Sequence, residues 1–166
     1  LNAGTAFPYL VLEVVNEQSY PRNPGFRVMH WHEDLQFLYI QTGSIEVRTM
    51  NSSARLMAGE RFFLNKSVAH QILSLDQCHY YSFLFPEHFL SFYPGSPAGK
   101  LVAGIAGASG YPSYTLAPSI PWQEELLSGL RGLIQLERSK TEFYPYEVLV
   151  RLCSLWLIFV KNITSP

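Results

Sequence analysis

Charge is scarce in this chain. Only 15% of its 166 residues are Asp, Glu, Lys or Arg, and they nearly cancel to a net charge of −1. No run or stripe of Lys and Arg occurs, so these residues do not offer the cationic surface that holds nucleic acid through its phosphates. Cysteine is scarce too. Cys78 and Cys153 form neither a disulfide framework nor a Cys-x-x-Cys pair, which favours a reducing, cytoplasmic setting and gives no sign of a redox or zinc-finger role. Long apolar runs are missing: the greasiest segment, 148–160, contains Arg151 and falls short of the ~20 residues a membrane span needs. Residues 1–6 have neither the positive start nor the apolar stretch of a signal peptide, and Leu1 in place of Met reads as a trimmed start. There is also no Gly-rich phosphate loop, no Gly-x-Ser-x-Gly, and no pair of carboxylates placed for acid–base work.

What remains is a chain rich in core-forming residues, 48% hydrophobic and 14% aromatic, which is enough for one domain. Up to residue 85 the dominant period is two. Strands are expected over 8–15, 26–32, 35–42, 44–50, 54–57, 61–64, 70–75 and 79–85, with turn residues between them. Short strands with frequent turns predict a mainly β, antiparallel barrel or sandwich. Residues 16–25 read as a turn-rich connector, and 86–92 as one helical turn leaving the barrel. The stretch 94–121 contains five Gly and five Pro and reads as a surface linker with a short helix near 100–105.

From Pro121 the period becomes helical. Trp122, Leu126, Leu130, Leu133 and Ile134 share a face, with Glu124 and Glu125 in the first turn where the dipole favours anions. A second helix is expected from about Pro145 to Asn162, apolar nearly all the way round. Such a helix must be covered on every side, so a second copy of the chain is expected against it, with Leu149, Leu152, Trp156 and Phe159 at the dimer interface.

Chemistry concentrates in residues 25–43. On an extended strand Val28, His30 and His32 point one way and Arg27, Met29 and Trp31 the other. Trp31 is therefore expected in packing. After a solvated turn at Glu33-Asp34, Gln36, Leu38 and Ile40 share a face, and Gln36 comes level with the histidines. Phe37 and Tyr39 face away, under a covering layer. His30, His32 and His70 are candidates for one inward cluster. Three imidazoles with an open position suit zinc, nickel, copper or iron, whereas Gln36 offers only a neutral amide. The same histidines could instead line a pocket for a small polar ligand, and His70 could lie outside it. His79 and His88 belong to no motif and are expected at the surface or in capping roles.

Gly25, His30-Trp31-His32, the acidic turn and Gly43 resemble the first motif of the cupin superfamily, a glycine, His-x-His, a Glu three residues on and a closing glycine. Gly59 to His70 fits the frame of the second motif. The departures are Gln36 where metal-binding cupins usually carry Glu, Asn65 for the usual Pro and Ser67 for the usual Gly. The run from His30 to Gly43 is most similar to the amino-terminal sensor domain of AraC-type transcription regulators, and the resemblance covers about 7–85 and the closing helical hairpin. It implies a cupin-type, jelly-roll-like antiparallel barrel followed by a two-helix hairpin: barrel 1–93, connector 94–120, hairpin 121–166. It further implies an effector-sensing and dimerisation domain that is not an enzyme.

On that resemblance a small polar effector, with sugars as the class to test first, binds through His30, His32, Gln36, Leu38 and His70. A divalent zinc, nickel or iron ion, not required, would sit on His30, His32, Gln36 and His70. The chain forms a homodimer, and DNA is met only by a helix-turn-helix domain expected beyond a linker at 162–166. Residues 1–7 and 94–121 are the candidate movable parts. The rival reading is a metal-dependent cupin enzyme, an oxygenase or isomerase; Gln36, the lack of a general base and the apolar last helix count against it. A third is a carbohydrate-binding barrel without regulatory output.

Overall fold

A computed structural model describes residues 6–107 and 111–164. Most of the arm expected to move at 1–7, and the end of the linker expected at 162–166, lie outside the described residues. The chain divides into two compact units: one runs to Pro86 and takes in Tyr111–Leu116, and the other holds the segments on either side of that strand.

Among the described residues the first unit contains nine strands: β1 (Leu10–Val15), β2 (Gln18–Tyr20), β3 (Leu35–Thr42), β4 (Ser44–Thr49), β5 (Ser53–Met57), β6 (Arg61–Leu64), β7 (His70–Ser74), β8 (His79–Phe85) and β9 (Ser113–Leu116). They form two antiparallel sheets, one in the order β2-β1-β8-β3-β6-β9 and one in the order β5-β4-β7. Directly opposed residues share a face, so the pairs Ile40↔Tyr80 and Leu38↔Phe62 of the larger sheet look inward together. They meet Ile45, Val47, Leu56 and Ile72 of the smaller sheet in one buried cluster. The other face of β3 is buried as well. Phe37 packs 5.4 Å from Phe63 and 6.2 Å from Phe85, ring centre to ring centre, and Leu35 to Ile40 are all buried, as expected for the covered side of Phe37 and Tyr39.

Two of the sequence expectations need correcting here. Residues 26–32 do not form a strand. Pro24–Arg27 is a 3-10 turn opened by its proline, and the following segment touches the sheet only through a single bridge between His30 and His70. Proline supplies no N–H to a ladder, and Pro-Gly favours a turn. The linker expected over 94–120 is also more ordered than its composition suggests. The short helix expected near 100–105 is present as Ala98–Ala106, α1, whereas the strand β9 was not expected and adds to the sheet by pairing with β6, Phe63 opposite Tyr114.

The second unit contains α1, α2 (Pro121–Ser139) and α3 (Tyr144–Ile163). Proline in the first turn and Glu124 behind it start α2, and Lys140 in the left-handed conformation, φ 37°, ends it. Leu126, Leu130 and Leu133 are buried on α2, and Val148, Leu152, Leu155, Trp156 and Phe159 on α3. The two helices approach closely at Gly129, where a β-carbon would lie 2.1 Å from a Leu155 methyl. Leu152, Trp156 and Phe159, expected at a dimer interface, are at most 4% exposed and present no area to a partner. The apolar side chains α3 does leave exposed are Tyr146, Val150 and Leu157, with Leu149 half-buried. Among the described residues no helix is long and apolar enough to cross a membrane.

Gly43, in the turn joining β3 to β4, has φ 74°, and a β-carbon there would fall 2.0 Å from the Gln77 carbonyl oxygen. Gly43→Ala is expected to lower stability by about 2 kcal/mol or more, read as a drop in the urea midpoint; a midpoint unchanged from the parent would refute the tight turn.

Candidate ligand and metal site

The inner face of the larger sheet changes character toward one end. On β3 the core residues Ile40 and Leu38 give way to Gln36, and on β8 Tyr80 and Ser82 give way to Leu84, which pairs with Gln36. A cavity of about 240 Å³ opens there, lined by Leu12, Val14, Val28, Ile72 and Leu84 together with the polar His30, His32, Gln36, His70, Tyr80 and Ser82. Trp31 also lines it and is 63% exposed. Its expected role in packing is therefore wrong: in an irregular segment the alternation of faces is not enforced. Leu38, expected to touch a ligand, is fully buried in the packed cluster and is not among the lining residues.

The histidines come together as a three-way cluster. Backbone bonds in both directions tie His30 to His70, at 3.0 and 2.8 Å, and the Ser67 amide donates to the His32 carbonyl at 2.8 Å. Ring centres are 4.5 Å apart for His30 and His70, 5.2 Å for His32 and His70, and 5.8 Å for His30 and His32. His70 therefore lies in the cluster and not outside the pocket.

Each ring is held by the same device. Nδ1 of His30 lies 2.7 Å from the Val28 carbonyl, Nδ1 of His70 2.8 Å from the Val68 carbonyl, and Nδ1 of His32 3.1 Å from the Asp34 carbonyl. A carbonyl oxygen only accepts, so in all three rings Nδ1 carries the proton. A neutral ring then has its lone pair on Nε2. One ligand atom from each ring can be chosen so that all three lie within 4.8 Å of one another. Nε2 of His70 is buried without a hydrogen-bond partner.

Burial holds His70 well below the ordinary imidazole range, at about 4, and lowers His32 as well, so both are neutral at pH 7. This creates a conflict at Gln36. His32 Nε2, a lone pair, lies 3.1 Å from Gln36 Oε1, while Gln36 Nε2 donates to the Ser82 hydroxyl. Turning the amide end for end resolves it: the NH2 then donates to His32 and the oxygen accepts from Ser82. With a cation between the rings, the opposite orientation would put the amide oxygen on the ion. The donor set of three imidazole nitrogens and one amide oxygen, with rings oriented by carbonyls behind them, fits a borderline divalent transition metal. Tyr80, buried beneath, has its hydroxyl without a partner, and burial pushes its pKa up. Tyr80 and Ser82 are not among the candidates drawn from the sequence; inner-face alternation on 79–85 is the signal that points to them.

No family model matches the chain. Over 140 residues, 83% of its length, it is 22% identical to an uncharacterized HTH-type transcriptional regulator, YdeC, of Bacillus subtilis, covering 47% of that protein. The crystal structure of the AraC-like transcriptional activator CuxR matches over 95% of this chain and 49% of its own, with a TM-score of 0.54 at 9% identity. A cupin-2 domain protein from Shewanella frigidimarina matches 45% of this chain and 66% of its own at 20% identity, with a TM-score of 0.35. The chain thus spans about half the length of the two regulators.

A histidine whose pKa is depressed on folding stabilises the fold above its unfolded value, and that contribution is lost as pH falls through the gap. For His70 the window runs from about 6.5 down to about 4. In the presence of a chelator, stability is expected to fall across it by up to about 1.4 kcal/mol per pH unit, and His70→Gln should flatten the profile; a variant as steep as the parent would count against a buried neutral His70. Two antiparallel sheets followed by C-terminal helices form a fold shared with the AraC-like activator, and the sequence is similar to that of an HTH-type regulator.

Proposed function

We propose that this chain is the effector-sensing part of a longer transcription regulator, and that the barrel cavity binds a small molecule whose occupancy is passed to a DNA-binding domain elsewhere in the protein. The observation that carries the reading is the built cavity, with buried polar groups converging on it, in a chain that spans about half of an HTH-type regulator. A cavity of about 240 Å³ is smaller than most ligand sites, which run from about 300 Å³ upward, so the effector is compact. Coupling requires that it bind one arrangement of the regulator better than another. A second copy of the chain supplies such an arrangement, and Tyr146, Val150 and Leu157 of α3 are the apolar residues left for it.

The reading is tested first by the mass of the protein in its source cell against the 18.9 kDa of this chain. A product heavier by a domain is expected, as is a dimer in sedimentation at micromolar concentration. In the full-length protein an effector should change operator affinity by about 5- to 150-fold, and Leu84→Trp, which fills the cavity, should remove the response while leaving basal DNA binding. A product of about this mass, or a response that survives Leu84→Trp, would overturn the reading.

A metal-dependent cupin enzyme is the second reading, favoured by the lone pairs that the three rings turn inward. His30, His32 and His70 would hold the ion, which would supply Lewis acidity to a bound substrate. Gln36 would add an oxygen without charge. Stoichiometric metal in the purified protein, lost in His70→Ala together with turnover, would favour this second reading.

A further inference from the structure

Two residues that line the cavity each carry a buried polar atom without a partner, the Tyr80 hydroxyl and His70 Nε2. His70 is accounted for by the histidine cluster, but Tyr80 is not. It is 1% exposed, sits on the inner face of β8 opposite Ile40, and lines the cavity. A hydroxyl buried without a hydrogen bond costs about 1–3 kcal/mol, and phenylalanine would fill the same space without that cost. An unpartnered group of this kind calls for a function or a ligand.

The rest of the cavity restricts what could meet it. Among the described lining residues there is no Asp, Glu, Lys or Arg. Arg27, whose charge reaches Tyr80, is held 3.3 Å from Glu17 and does not line the space. A charged ligand would thus lose its hydration against Leu12, Val14, Ile72 and Leu84 without a counter-charge. A sugar is disfavoured for the same reason, since each of its many hydroxyls needs a partner and the wall beside Tyr80 is aliphatic. As for size, an apolar cavity of about 150 Å³ holds one benzene ring, so 240 Å³ takes a single ring with a small substituent.

Resting on the sensor reading, we propose that the cavity takes an uncharged, single-ring, phenol-like compound, its ring against the aliphatic wall and its oxygen accepting a hydrogen bond from Tyr80. Tyr80 is then the specificity-determining residue of the site.

Calorimetric titration of the chain with phenol, toluene, benzoate and L-arabinose tests this, with Tyr80→Phe as the variant. Phenol is expected to bind one to one and to raise the melting temperature. Toluene should bind about two- to tenfold more weakly, the worth of one hydrogen bond, and benzoate and L-arabinose should bind more weakly than either. Tyr80→Phe should bring phenol to the affinity of toluene and leave toluene unchanged. The free variant should melt no lower than the parent, which a structural hydroxyl would not allow. Tighter binding of benzoate or L-arabinose than of phenol, an unaltered phenol affinity in Tyr80→Phe, or no binding by any of the four would overturn the proposal. Tight L-arabinose binding would end it while sparing the sensor reading; phenol binding with no effect on operator affinity in the full-length protein would do the reverse.

Discussion

Three hydrogen bonds from imidazole Nδ1 to backbone carbonyls govern the site. The acceptors lie two residues before His30 and His70 and two residues after His32, so each ring is oriented by its own local backbone. Those bonds place the proton on the outer nitrogen and leave the inner one as a lone pair. They also explain why a bridge as short as that between His30 and His70 suffices where a full strand is missing: it fixes the two carbonyl-bearing segments in register.

The cavity that results has two chemistries. At the histidine side it presents lone pairs and an amide whose orientation depends on what lies between the rings. Beside Tyr80 it presents aliphatic walls and one donor. Among the described lining residues there is no Asp, Glu, Lys or Arg, and burial holds His32 and His70 neutral at pH 7. With glutamate in place of Gln36, the site would carry a buried carboxylate that a cation must neutralise. The amide removes that requirement, so the pocket can be stable with an uncharged occupant.

Much of this was legible in the sequence. Strand 35–42 and strand 79–85 follow from alternation bounded by turn residues, and Gly43 marks its turn. His30, His32, Gln36 and His70 could be grouped from spacing and from the cupin resemblance. The shape of the segment bearing His30 could not, because alternation says which residues share a face only if a strand forms, and Pro24-Gly25 prevents one. Trp31 was misplaced for that reason. β9 was hidden by composition: a four-residue strand, Ser113–Leu116, lies between prolines in a Gly-rich stretch. On α3, apolar residues all round could not reveal which side the protomer buries, so Leu152, Trp156 and Phe159 were assigned outward although they pack within the chain.

The most direct measurement is of the proton on each ring. Two-bond 1H–15N correlation spectra of the chelator-treated protein at pH 7 distinguish Nδ1-protonated from Nε2-protonated imidazole. The Nδ1–H form is expected for His30, His32 and His70 together. An Nε2–H form at any of the three would turn a proton into the cavity, and convergence of the three lone pairs, with the binding chemistry drawn from it, would be wrong.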